Sequence, residues 1–504
     1  MNIDYHFLID DDDDGQFTQT GDNIRADVIR AEWQLGMARP YDAVSAVAQA
    51  TLTVRNWQRH YSPEASGKLI GKPLTIISDD GTPRTHFSGF IAQVIPQTGD
   101  QGQREAQIIA YGRERELAQQ TVRLPPAINW RADHALDAIL TQIHWRYPRL
   151  VGMCIIGQST IGNCEIFAAS PLTIHADQGR SVFAFMADDW AEGLPADQAV
   201  LAIMRGEGGR FFFNRVGEAV FYHRHHLLSD TAPNLQFDNR MSALDYRYGD
   251  VINQVTVTLT PRRIGAPFST LWSLVQTMRI APDSTLTLTA RYQLEGQSVG
   301  AVDVSAPRPY ADYQAYDHPT RTDHDRTDML QVRMSERGTS ASVLELHNPT
   351  AQALYLTRLT LNGTPLITGD PLTLTAQDRV RMTYDGLHAR QINLPVITDI
   401  DEAQSILQWE LQRHSQARGR ALSLTTDTHQ HPHATLALTL FDTIRISETQ
   451  TDHHADYHII AEQHSVDAGG TQHRVRWLLE PAERDLFFII GRHSIGADVV
   501  LVPR

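Results

Sequence analysis

Apolar and polar positions alternate over short runs along most of the chain. Leu52 and Val54 alternate with Thr51, Thr53 and Arg55; Val255, Val257 and Leu259 alternate with Thr256, Thr258 and Thr260. Leu286, Leu288, Ala290 and Tyr292 repeat the pattern, as do Leu436, Leu438 and Leu440. A period of two with threonine on the other face predicts half-buried antiparallel strands. Asp80-Gly81, Asn362-Gly363, Asp385-Gly386 and Gly469-Gly470 supply turn signals between them.

Helical spacing is rarer and clustered. Asp133 is placed to cap a helix with Leu136, Ile139, Leu140, Ile143 and Tyr147 on one face, stopped by Pro148. Val182, Phe183, Phe185 and Met186 form a second candidate helix. Ala199, Val200, Ile203 and Met204 form a third, ending at Gly206, Gly208 and Gly209. A hairpin follows, Phe211 to Asn214 and Ala219 to His223, turning at Gly217. The last helix starts at Asp399 with Glu402 three residues on, a capping-box-like start that sets Ile400, Ala403, Leu407 and Leu411 on one stripe.

The fold class expected is mainly β with an inserted α/β segment, a multi-domain β-barrel and β-sandwich architecture. An acidic N-terminal segment occupies 1–24, a first β-barrel domain 25–125 and the inserted α/β domain 126–245. Second-barrel strands follow at 246–305, then a linker and sandwich-like domain at 306–398, in which Ala306 to Thr339 reads as linker or long loop. A helix with closing strands takes 399–484 and an extension 485–504. Five hundred and four residues at roughly 150 per domain agree with three or four domains. No short-period repeat argues for a solenoid.

Charge narrows the partners. Forty-four basic against 59 acidic residues leave −15, which argues against a surface for nucleic acid. Lys68 and Lys72 are the only lysines, so the rest of the basic set is arginine. Guanidinium suits planar, desolvated contacts, although genome composition explains the same bias equally well. No apolar run approaches the roughly 18 residues of a membrane span. Asp10 to Asp14 stand where a secretory leader would carry its apolar middle. Cys154 and Cys164 read as two thiols in one subdomain.

Catalytic signatures are sparse, and neither catalytic, cofactor nor metal residues are assigned. Gly67-Lys68 and Gly71-Lys72 are followed by Leu and Pro, not by a phosphate-loop Ser or Thr. Gly206-Glu207-Gly208-Gly209 follows a helix, the reverse of a phosphate cradle, and reads as a helix stop. Asp10, Asp12, Asp14 and Gly15 match the opening of a calcium loop, but its twelfth position is Gly21. Histidines cluster at 223, 225 and 226, at 429, 431 and 433, and at 453, 454 and 458. Exposed loop histidines are the favoured reading. Of the three groups, His453, Asp456 and His458 offer the best mixed ligand set. Asp188-Asp189 and Asp399-Asp401 are spaced for paired-carboxylate chemistry, yet both sit at helix ends where structural roles suffice.

Ala50-Thr-Leu-Thr-Val-Arg-Asn56 leads to Tyr61-Ser-Pro63, then to Gly71-Lys-Pro-Leu-Thr-Ile-Ile77, Phe87-Ser-Gly-Phe-Ile91 and Gln107-Ile-Ile-Ala-Tyr-Gly112. This ordered set resembles the N-terminal β-barrel of tail-tip and baseplate hub proteins from tailed phages and prophages. Val182 to His223 is similar to that family's inserted α/β unit, and Asp250 to Val257 to the strand entering its second barrel. Leu359 to Pro365 resembles a strand-turn of phage tail proteins. Gln404 to Leu411, Phe441 to Ile446 and Tyr457 to Ile460 resemble its closing helix and strands, with Phe441-Asp442 where the family often has Gly-Asp.

The resemblance implies a structural virion protein without enzymatic activity or cofactor. It would be a homotrimeric hub that caps the tail tube in a pseudo-sixfold ring. It would contact distal tail ring proteins, the tape measure protein and a fibre or spike, and serve host attachment and genome ejection. Assembly in the host cytoplasm, no membrane span and no direct sequence-specific nucleic-acid binding belong to the same expectation. Two other classes stay open: a tail-associated glycan-binding or glycan-hydrolysing β protein, and a metal-binding adhesin built on the histidine clusters.

Overall fold

A computed structural model of the chain describes residues 3–10, 17, 21–64, 69–98, 104–146, 149–156, 159–167, 172–187, 190, 193–229, 232–249, 251–320, 323–415, 418–467, 472–482, 487–488 and 500–501. At 149–167, 418, 487–488 and 500–501 it describes backbone only. Strands dominate, and helices are few.

Leu52 and Val54 lie in strand Gln49–Arg55, where buried and half-buried positions alternate as the period of two requires. That strand is central to a twelve-stranded sheet. Its order is Asp4–Ile9, Pro73–Asp79, Pro83–Pro96, Glu105–Tyr111, Gln49–Arg55, Val28–Gly36, His453–Asp467, Gln472–Pro481, Arg418–Asp427 and Ala243–Gly249, with Leu235–Phe237 and Thr443–Glu448 branching off. The motif-bearing strands of the N-terminal third are therefore direct neighbours. Among the described residues no sheet closes into a barrel. The reason lies in Val28–Gly36, which pairs onward to His453–Asp467, from Ala31 opposite Val466 to Gly36 opposite Ala461. Gly36 makes this crossing possible: its φ is +105°, and a Cβ there would sit 2.4 Å from the Ile460 carbonyl oxygen.

The α/β segment packs helices Ala132–Gln142 and Ala196–Glu207 beside hairpin Arg210–Phe213/Ala219–Tyr222. Its core continues into Val255, Val257, Leu394, Ala403 and Leu407. Strand Gln254–Leu259 pairs antiparallel with Leu372–Gln377 and parallel with Ala389–Leu394. Helix Ile400–His414 is capped by Asp399, whose carboxylate accepts from the Asp401 and Glu402 amides. Residues 262–368 form a separate β body with its own core around Leu271, Tyr292, Leu344 and Leu356, organised on the long strand Leu354–Thr368.

Five local expectations change. Asp133 does not cap its helix: the helix is Ala132–Gln142 with Arg131 at the N-cap, and Asp133 sits in the first turn. Val182–Met186 is a strand paired with Ala127–Arg131, not a helix; a short apolar run does not distinguish the two by periodicity. Leu436 lies in helix Pro432–Ala437, not in a strand, because Pro432 at the first turn preorganises a helix start. Asn362-Gly363 sits inside strand Leu354–Thr368, not at a turn. A Cβ on Gly363 would meet Leu271 at 2.8 Å, so the glycine serves close packing. The 306–339 stretch, read as linker or loop, carries strands Tyr313–Tyr316 and Gln331–Arg337, with Tyr313 and Ala315 buried.

Candidate functional site: a junction pinned by buried arginines

The hairpin that follows helix Ala196–Glu207 serves two cores at once. Gly208 ends the helix in the left-handed region at φ +68°, and the chain turns into Arg210–Phe213. Phe211, Phe213, Ala219 and Phe221 enter the α/β core, whereas Phe212 and Val220 enter the core of the large sheet. A strand alternates its side chains between faces, so the continuous Phe-Phe-Phe run marks a strand buried on both sides.

Three arginines flank this hairpin, and all are buried. Arg210 donates to the Glu480 carboxylate at 2.8 Å, and Glu480 also accepts from the Tyr41 amide at 2.7 Å. Arg215 makes a two-pronged contact with Glu462, its Nε reaching Oε1 at 3.0 Å and its Nη2 reaching Oε2. The same guanidinium donates to the carbonyls of Leu436 and Leu438 at 3.0 and 2.6 Å. Arg224 donates to the Ser181 hydroxyl and lies 3.8 Å from Glu207 and 3.5 Å from Glu402. Each link spans distant sequence: the first two tie the hairpin to the closing strands of the large sheet, the third to helix Ile400–His414.

From Glu462 a hydrogen-bonded chain continues through the sheet interior. His464 Nε2 lies 3.0 Å from Glu462, His464 Nδ1 lies 2.8 Å from His473 Nε2, and His473 Nδ1 lies 2.7 Å from the Tyr5 hydroxyl. One proton arrangement satisfies every atom: Tyr5 donates to His473, His473 to His464, and His464 to Glu462, with both imidazoles neutral. Burial, then the nearness of His464 and of the Arg215 guanidinium, push His473 well below the usual histidine range; burial also lowers His464, against the pull of Glu462. Burial would raise the Glu462 carboxyl, but Arg215 and the His464 hydrogen bond outweigh it and hold it down at about 2. Trp33 stacks on His464 with ring centres 4.9 Å apart. His86, also neutralised by burial, packs beside them and meets Ser78 at 2.7 Å. The result is a fully buried polar strut that joins strand Asp4–Ile9, the closing strands and the hairpin.

The residues singled out in the sequence are placed elsewhere. His453 meets the Tyr457 hydroxyl at 2.8 Å, Asp456 is held by Arg445 at 2.7 Å, and His458 meets Thr443 at 3.0 Å. Five positions apart on one strand, His453 and His458 point to opposite faces, so this trio does not converge. His226 stacks on Tyr222 and meets Asp177 at 2.8 Å; His431 packs edge-on against Phe237. Among the described residues no group of three His, Cys, Asp or Glu is placed to hold a metal ion. No helix among them is long and apolar enough to cross a membrane.

Asp10 is buried at the end of strand Asp4–Ile9; Asp12, Asp14, Gly15, Lys68, Asp188, Asp189, Gly469 and Gly470 lie outside the described residues, as do the side chains of Cys154 and Cys164. Gly206 to Gly209 is the helix stop that its order implied. Its Glu207, unremarked in the sequence, is buried and accepts from the Ser181 amide at 2.7 Å. Of the tryptophans, Trp57 is widely exposed, whereas Trp33, Trp145, Trp190, Trp409 and Trp477 are buried. The arginine-pinned junction itself was not anticipated; the available signals were the near-absence of lysine and a lone glutamate after Ile459-Ile460-Ala461.

No protein-family model matches this chain, and no curated protein sequence does. Solved structures that overlay it include tail proteins and a type VI secretion component. The tail protein of Neisseria meningitidis aligns at 9% identity and TM-score 0.47, covering 95% of this chain and 97% of that one. The 43 kDa tail protein of prophage MuSo2 from Shewanella oneidensis aligns at 10% identity and TM-score 0.49, covering 95% and 99%. An Escherichia coli component of the type VI secretion system, described as similar to bacteriophage T4 tail proteins gp27 and gp5, aligns at 8% and 0.35, covering 95% and 77%.

Proposed function

We propose that this chain is a structural virion protein of a phage or prophage tail tip, a hub that caps the tail tube. In this reading it assembles as a homotrimer in the host cytoplasm, links the tube to the tape measure protein and a fibre or spike, and does no bond chemistry. The observation that carries the reading is the junction: one hairpin buried in two cores and tied by Arg210, Arg215 and Arg224 to Glu480, Glu462 and Glu402, far along the chain. A body locked in this way transmits displacement as a unit, because packed interiors resist continuous deformation. The ordered motifs from Ala50 to Gly112 support the same reading, since their strands are adjacent in one sheet.

Immunogold labelling of intact particles with antibody to this chain tests it. Gold confined to the tail tip is expected. Gold along the whole tail would replace the hub with a tube or sheath component, and unlabelled particles with free chain would overturn a virion role. Light scattering of the purified chain should give three times the mass of one copy.

A further inference from the structure

A cleft of about 610 Å³ opens between helices Ala196–Glu207 and Ile400–His414, the 39–43 loop and strand Ala389–Leu394. Pockets that hold ligands commonly fall in this size range. Two features of its wall belong together: its charge and its exposed strand edge.

Arg39, Arg205, Arg210, Arg390 and Arg413 line the cleft against Asp42 and Glu410. Glu480 takes Arg210 at 2.8 Å, Asp42 stands 3.6 Å from Arg39, and Glu410 is shared between Arg390 at 3.1 Å and Arg413 at 3.6 Å. Five cations thus meet three carboxylates, which leaves a surplus of two. Arg205, exposed at the last turn of its helix, forms no ion pair among the described residues. A positive recess in a chain of net charge −15 selects for a negative occupant.

Arg390, Gln391, Ile392 and Asn393 all line the same cleft. Successive side chains of a strand point to opposite faces, so a cavity that meets four in a row wraps the strand's free edge, reaching over one face as far as Thr258 on the neighbouring strand. Ala389–Leu394 is the outer strand of its sheet, and among the described residues it pairs only with Gln254–Leu259. Its other edge offers backbone N–H and C=O groups to the cleft without a strand to take them.

We propose that this edge binds an extended acidic segment of a partner protein, which adds a strand beside Ala389–Leu394. Main-chain hydrogen bonds hold such a segment, and carboxylates at every second position, roughly 6.6 Å apart along one face, meet the surplus arginines. Nucleic acid offers no backbone that continues a sheet.

The test uses the full chain and a fluorescein-labelled Glu-Thr-Glu-Val-Glu-Thr peptide, read by fluorescence anisotropy at low and moderate salt. Saturable binding is expected, weakened by salt and lost when alternate amides of the peptide are N-methylated. Arg39→Glu with Arg205→Glu, both exposed positions, should keep the melting temperature and weaken binding at least about tenfold. Failure of the acidic peptide to saturate, equal binding of its lysine counterpart, or an unchanged constant in the double variant would each overturn the proposal. If instead the chain self-associates and Arg205→Glu dissolves the association, the occupant is a second copy and the partner segment falls. The peptide outcomes leave the tail-tip reading untouched, because that reading is decided by where the label falls on intact particles.

Discussion

Replacing Arg215 by Met keeps length and apolar stem while removing the charge that Glu462 faces. Glu462 is fully buried, and its carboxyl is held at about 2 against an ordinary value of 4.5. That difference corresponds to about 3 kcal/mol of stabilisation of the charged form. Breaking a buried ion pair by removing one partner costs about 3–5 kcal/mol, so two independent routes agree on the scale. The carbonyls of Leu436 and Leu438 also lose their donor, which does not lower the figure. For a cooperative unit of 150–250 residues, about 3 kcal/mol shifts the midpoint by about 6–12 °C.

The sign with pH follows from the direction of the perturbation. A depressed carboxyl contributes fully above 4.5 and loses its contribution as pH falls from 4.5 towards 2. Arg215→Met should therefore lose most against the parent at neutral pH and least in acid, where Glu462 accepts a proton. Differential scanning calorimetry at pH 7 and pH 4 reads this directly. Arg215→Met with Glu462→Leu should recover at least half of the loss, because no uncompensated charge then remains buried, although His464 keeps an unanswered donor. A single-variant shift below about 2 °C, or a double variant no better than the single, refutes the reasoning.

Other consequences are equally direct. Phe441 occupies the left-handed region at φ 66°, where non-glycine residues cost about 1–3 kcal/mol; yet its ring is buried against Phe212 and Tyr222. Loss of a buried phenyl costs about 3–5 kcal/mol, so Phe441→Gly should lower the melting temperature although glycine suits the backbone. Burial raises the Glu114 carboxyl to about 7, so stability should fall as pH climbs from 4.5 to 7, by at most about 3 kcal/mol. Melting curves of Glu114→Gln across that window should lack this component. Gly36→Ala should abolish soluble expression, since its Cβ would meet the Ile460 carbonyl at 2.4 Å, whereas Gly217→Ala, with 3.5 Å of clearance at φ +82°, should express and lose about 1 kcal/mol.

Strand periodicity was readable wherever one face is buried and the other wet, as at Leu52 and Val54 or Val255 and Val257. It failed where burial is two-sided or the run is short: Val182–Met186 has too few residues to separate a period of 2 from one of 3.6. The cap at Asp399 was readable because it is local, a side chain meeting amides two and three residues on. Topology was not. Nothing in Val28–Gly36 names His453–Asp467 as its neighbour, and loop closure over that separation costs little more than over a shorter one, so sequence distance does not constrain the pairing.

The same limit hid the junction, and the arginine bias shows how close the sequence came. A near-absence of lysine has two explanations, genome composition and a chemical need for guanidinium. At Arg215 the need is specific: one side chain meets both oxygens of Glu462 and two carbonyls beyond it. An ammonium has three donors and no fixed plane, so it cannot span this set. Arg215→Lys should then behave almost as badly as Arg215→Met, although it conserves charge, because the carboxylate loses its planar partner and the carbonyls their donors. At exposed Arg30, which meets Glu32 on the surface, the same exchange should change stability by no more than about 0.5 kcal/mol. Composition alone predicts equal tolerance at both positions; the buried fork predicts that they differ.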